Sequence, residues 1–268
     1  MESQPSWRLT LLGTGPSQGV PSLGGPDGHG EWGACDPAEP RNRRTRTSAL
    51  LDGPDGTRIL IDAGPDCRAQ LLAAGAGVLD AVIFTHAHAD HFMGMDELRQ
   101  INRNTGQALP VYGFPETLAE LQARFDYAFQ PVTGGFYRPA LTANKIVPGE
   151  QLVIGQLSLR CLEQDHQVMR TMGIRAGSLA YSTDLVRMPG STLDALTGLD
   201  TWVVGCFRPG PHPVHASLET VASWVAHLRP RRTVLTHMGS AMDWRSLTVN
   251  LARGIEPGHD GMRLEPGG

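Results

Sequence analysis

The stretch AVIFTHAHADH, residues 81–91, ends an apolar run on His86, His88, Asp90 and His91. Alternate residues of an extended segment point the same way, so His86 and His88 can share one ion. Asp90 and His91 open the next turn and face elsewhere, towards a second ion. Neutral imidazole and carboxylate are the ligands that zinc and similar borderline divalent metals take. A cluster at a strand end is held by the sheet and remains open to solvent.

The elements that must hold this cluster are short. Aliphatic or β-branched runs bounded by Gly, Pro and Asp predict strands over Arg8–Leu12, Ser48–Leu51, Arg58–Ile61, Ala81–Phe84, Leu157–Leu162, Leu179–Ser182, Trp202–Val204 and Thr233–Leu235. Leu218, Val221, Trp224, Val225 and Leu228 recur at three- and four-residue steps and predict a helix over Ser217–Leu228, with Ser217 and Thr220 at its start. Further helices are read over Asp66–Ala74, Glu116–Phe125 and Trp244–Leu251, and a helical stretch over Phe92–Ile101. The first half reads as strand-rich and hairpin-like, and the whole order as layered strands with outer helices. The Gly- and Pro-rich segment around Phe129, Phe136 and Tyr137 reads as a surface loop, with a lid or a dimer contact as the sharper alternative.

A chain of 268 residues with formal net charge −4 can bury a sizeable core without crosslinks. Cys35, Cys67, Cys161 and Cys206 form no CxxC pair, which argues against a disulfide scaffold and a four-cysteine zinc module. No apolar run has membrane-spanning length, and the N-terminus lacks a leader pattern, so a cytoplasmic protein with no membrane partner is expected. Mild acidity argues against extended nucleic acid as a ligand.

The HxHxDH motif resembles that of the metallo-β-lactamase superfamily. The resemblance implies an α/β fold, the four-layer αββα metallo-β-lactamase sandwich, as a single hydrolase domain over residues 1–268 with two divalent metal ions, zinc or manganese. It also implies that His166, Asp184 and His237, each after a strand, complete the ligand set. His86, His88 and His166 would hold one ion, Asp90, His91 and His237 the other, with Asp184 bridging. Asp62, in RILIDAG, is either a support that orients a ligand or the N-cap of the helix near Asp66.

The reaction is narrowed by further residues. Asp184 in place of Cys leans away from the lactamase branch, and the absence of HxExD leans away from flavodiiron proteins. LLGTGPSQGVPSLGG, RNRRTRTS and DELR are similar to the phosphoribosyl 1,2-cyclic phosphate phosphodiesterases. That similarity implies metal-bound hydroxide attack on a small phosphodiester, a cyclic one included. The candidate catalytic residues are His215, Asp90 and His212, with His215 favoured over His212 because Ser217 and Glu219 follow it like the family's His-Ser/Thr-Glu arrangement. Arg41, Arg43, Arg44 and Arg46 are read either as contacts to a second phosphate or as a solvated basic loop. One departure is that the family's cysteine-rich cluster is reduced to Cys35 and His29, so no third zinc is expected. The alternatives are a thioester or acyl hydrolase of the glyoxalase II type and a non-hydrolytic relative in pyrroloquinoline quinone biosynthesis. Relatives form dimers, and a homodimer is compatible with this chain.

Overall fold

A computed structural model describes residues 7–265, so the two ends of the expected 1–268 unit lie outside the described part. In the first sheet, β1 (Arg8–Gly13), β2 (Ser48–Asp52) and β3 (Arg58–Ile61) pair antiparallel. Then β4 (Ala81–Ile83), β5 (Leu109–Gly113) and β6 (Leu141–Lys145) follow β3 in parallel. The hairpin-like reading of the first half is thus corrected: it holds for β1–β3, but β3 to β6 are crossover strands whose connections are helical.

In the second sheet, β7 (Gln151–Ile154), β8 (Leu157–Asp165), β9 (Arg170–Ala176) and β10 (Leu179–Ser182) run as an antiparallel meander. From β10 the sheet continues in parallel through β11 (Thr201–Gly205), β12 (Arg232–Thr236) and β13 (Ile255–Pro257). A two-residue β14 (Arg263–Leu264) returns to pair with β1.

The helices are α1 (Cys67–Ala74), α2 (Ala89–Phe92), α3 (Leu98–Thr105), α4 (Pro115–Arg124), α5 (Gly190–Ala195), α6 (Leu218–Leu228) and α7 (Trp244–Asn250). The single helical stretch read over Phe92–Ile101 is therefore α2, a 3-10 turn at Met95–Glu97 and the start of α3. Ser217 caps α6 by accepting from Thr220 N at 3.3 Å, as its sequence position implies.

Strand periodicity explains the layering. On β3, Ile59 and Ile61 enter the core between the sheets, where Leu159, Ile174 and Val203 meet them, while Leu60 faces Leu71, Leu98 and Leu121 of the outer helices. On β11, Val203 points inward, and Trp202 and Val204 pack on Val221 and Leu247. Central strands buried on both faces need apolar residues at consecutive positions, which β3, β4 and β11 have. The result is a helix, sheet, sheet, helix sandwich. No helix among the described residues is long and apolar enough to cross a membrane.

Loop 31–46 is clamped to the segment after β12 by buried polar groups. Arg44 is fully buried and donates to Met242 O (2.6 Å), Gly239 O (3.2 Å) and Asn42 Oδ1 (3.2 Å). Asn42 Nδ2 donates to Asp243 Oδ2 at 2.7 Å. Arg41 lies over Trp244 (3.9 Å), Arg43 over Trp32 (5.0 Å), and Arg46 pairs with Asp66 (2.8 Å). Both readings of the arginine run are corrected at Arg44, which is neither solvated nor free for phosphate: it braces two loops. Arg44→Met leaves these acceptors buried without a donor and is expected to lower stability by about 3 kcal/mol, seen as a lower urea midpoint with unchanged slope.

Candidate metal centre

The C-terminal ends of β3, β4, β8, β10 and β12 lead directly into Asp62, the His86 cluster, His166, Asp184 and His237. The sheets are tied together at this edge by Met172 N donating to Thr85 O at 2.9 Å. Asp62, Asp184 and His237 all turn left-handed, with φ of 63°, 48° and 54°. Asp and His tolerate that region better than most residues, and the strain of roughly 1–3 kcal/mol each is carried by the surrounding packing. Gly64 lets the Asp62 turn approach α2, because a Cβ there would sit 2.1 Å from Asp90 O.

Two four-residue groups result. His86, His88, His166 and Asp184 form one, Asp90, His91, His237 and Asp184 the other, and within each group the potential ligand atoms lie within 4.8 Å of one another. Asp184 belongs to both. Its Oδ2 is 3.7 Å from Nε2 of both His86 and His166, and its Oδ1 is 3.4 Å from His91 Nε2 and 3.0 Å from His237 Nδ1. All seven sequence-predicted ligand positions are thus brought together, in the grouping that the resemblance implies.

On three of these histidines the other ring nitrogen is occupied from behind. His91 Nδ1 lies 2.7 Å from Asp62 Oδ2, His166 Nδ1 2.6 Å from Val214 O, and His86 Nδ1 3.0 Å from Thr85 Oγ1. Asp62 also accepts from Thr85 N and Thr85 Oγ1, both at 2.8 Å, so of its two readings it takes the supporting one, and Asp66 stands at the N-cap of α1. Such contacts set the tautomer and leave the other nitrogen's lone pair aimed into the site. His237 Nδ1 also meets Thr47 Oγ1 at 3.0 Å.

Charge and burial fit a cation here. His86 Nε2 and His91 Nε2 are buried without any hydrogen-bond partner, a costly state that a metal ion would relieve. Burial works against a charged His91, yet Asp184, Asp62 and Asp90 around it raise its pKa well above the ordinary imidazole value. Burial, reinforced by the positive neighbour His91, drives His86 well below it. Burial opposes ionisation of Asp184 too, but His237 and His91 pull its carboxyl well below the usual range. The site therefore draws positive charge to its centre.

His215 stands between the two groups, with its ring centroid 4.7 Å from that of His166 and 4.9 Å from that of His237. Burial, then the neighbouring His237, push its pKa down to about 3, so the ring is neutral at pH 7. His212 is one ring further out, packed on Phe207 (4.8 Å) and His215 (5.1 Å). Glu219 is exposed on α6, His29 is exposed in its loop, and Cys35 is buried, accepting from Arg44 Nη1 at 3.8 Å.

The family model of the beta-lactamase superfamily domain matches residues 57–238, a span that contains all seven of these positions. The chain belongs to the metallo-β-lactamase superfamily. Within the superfamily, it is 31% identical to a solved diphosphatase from the PhnP family, with a TM-score of 0.88 over 98% of both chains. It is 30% identical over 260 residues to an octanoyltransferase of Porphyromonas gingivalis, covering 95% of this chain but 51% of that protein, about half its length. It is 29% identical over 268 residues to ribonuclease Z of Mycobacterium sp. (strain KMS), covering 84% of this chain and 92% of the relative. The metallo-β-lactamase sandwich thus comes with hydrolases among its relatives.

Thr85, Thr47 and the Val214 carbonyl are supports that the sequence reading passes over. Thr85 had a local signal, its place between a buried strand and a ligand. Thr47 and Val214 had none, since their partners are 190 and 48 residues away. Asp62→Ala removes the group that orients His91 and is expected to weaken metal binding about 10–100-fold. A chelator competition would measure this, with turnover restored by excess metal.

Proposed function

We propose that this metallo-β-lactamase-fold hydrolase is a binuclear metal-dependent phosphodiesterase acting on a small phosphodiester. The observation that carries the reading is the pair of four-residue groups sharing Asp184, with His215 packed against one histidine of each. His86, His88, His166 and Asp184 would hold one divalent ion, zinc or manganese, and Asp90, His91, His237 and Asp184 the other. Two such ions supply Lewis-acid charge to phosphoryl oxygens and bring the pKa of a water towards neutrality.

The chain's own residues do the rest. Burial works against ionisation of Asp90, but His91 holds its carboxyl below the ordinary value, so it stays ionised and able to accept a hydrogen bond from a water in the site. The neutral ring of His215 offers an N–H that hydrogen-bonds the leaving oxygen as charge develops there. His212 buttresses His215 from the solvent side. His86, His91, His166, Asp184 and His237 are buried, whereas His88 and His215 are half-buried, so substrate enters along that wall. The similarity to proteins named diphosphatase and ribonuclease Z supports phosphoryl chemistry.

The similarity to an octanoyltransferase favours a second reading, hydrolysis of an acyl thioester. One metal-loaded preparation, assayed with bis(p-nitrophenyl) phosphate and with octanoyl-coenzyme A, separates the two. The phosphodiesterase reading expects turnover of the first and little of the second; the reverse ranking would sink it.

A further inference from the structure

On β8, Leu159 and Cys161 point into the core between the sheets, so Arg160 points to the opposite face; on β9 the same alternation turns Arg175 outward. Arg160 and Arg175 are direct partners across the antiparallel ladder. Like charges directly opposed in this way destabilise a strand pair. Arg160 makes no side-chain hydrogen bond or ion pair among the described residues. Arg175 is held by carbonyls rather than carboxylates: Nε donates to Gly177 O (2.8 Å), and Nη1 to Thr197 O (2.9 Å) and Ala195 O. Burial, then the charge of Arg160, hold the Arg175 guanidinium below its ordinary pKa.

The two arginines wall a hollow of about 400 Å³ completed by Gly149, Gln151, Ser158 and Gly177, a lining without any carboxylate. Gln151 Nε2 donates to Ser158 Oγ at 2.5 Å, which leaves the Ser158 hydroxyl hydrogen free to donate into the hollow. On the other side of Arg160, Glu163 lines a neighbouring hollow and is itself paired with Arg170 at 3.4 Å.

We propose that the Arg160–Arg175 hollow is a binding site for a phosphate dianion, free or as the phosphoryl group of a phosphomonoester. Guanidinium forks match phosphate oxygens two at a time, and a dianion between them turns mutual repulsion into shared attraction. The three carbonyls that pin Arg175 pre-orient one fork. Arg160 precedes His166 by six residues, roughly 20 Å along an extended chain, so a small phosphodiester at the metal centre does not reach it. The site is separate from the reaction proposed above and stands without it.

The test titrates ¹⁵N-labelled metal-loaded protein with inorganic phosphate, and separately with glycerol 3-phosphate, at constant ionic strength. Saturable shifts of the Gly149, Ser158 and Gly177 amides are expected with one or both ligands, and which of them acts separates free phosphate from a phosphomonoester. Arg160→Gln should abolish the shifts, and Arg160→Lys, a point charge without the fork, should weaken binding severalfold. Thermal melting gives a second readout. Without phosphate, Arg160→Gln should melt above the native protein because the repulsion is gone; in saturating phosphate the order should invert. Unmoved amides with both ligands, equal shifts in Arg160→Gln, or no inversion of melting order would overturn the site.

Discussion

Asp184→Asn is expected to leave neither of the two proposed cations bound and to lower the proposed phosphodiester turnover by about 10²–10³-fold, the equivalent of about 3–4 kcal/mol. The substitution keeps the size and the left-handed turn, which Asn tolerates as well as Asp does. What it removes is the negative charge that His86, His91, His166 and His237 all face within 3.7 Å. Elemental analysis after gel filtration measures the metal, and a diester assay the turnover. One ion retained at full occupancy would show that Asp184 serves one group and not two. A preserved circular dichroism spectrum separates this from misfolding.

His215→Ala has the opposite signature. Metal content stays at the native level, because the ring packs against His166 and His237 without belonging to either group. The proposed turnover is expected to fall by about 10²–10³-fold, the usual loss when a donor to developing negative charge is removed. The deficit should shrink with a nitrophenyl leaving group, which departs without help, and be largest with an alkyl ester. His212→Ala, one ring removed, should cost far less. Loss of metal in His215→Ala would make the residue a ligand, and an effect independent of the leaving group would remove it from the reaction.

The fold was legible where burial leaves a strong local imprint. β3 and β10 have the bounds that their apolar runs predict, because strands covered on both faces need consecutive apolar residues. β5 carries Pro110, β6 reads LTANK, and β9 contains Gly173 and two arginines, so each lacks a clean period; partner strands define them. α5 is a six-residue helix without a capping side chain, so it too carries little local signature. Its place is set by Thr192 Oγ1 donating to Glu163 O at 2.7 Å.

The site divides in a similar way. Sequence by itself determined the histidine and aspartate cluster of residues 86–91, since a strand running into a tight turn leaves those side chains few other directions. Together with the family resemblance, it also ordered His166, Asp184 and His237 behind it. Only the tertiary structure decided that Asp62 backs His91 and does not cap α1, that His215 and not His212 touches both groups, and that Arg44 is a buried brace. Each of these depends on which strand ends meet when two sheets pack face to face. That meeting is set by the whole core, with partners as far apart as Thr47 and His237, and leaves no mark on the residues beside them.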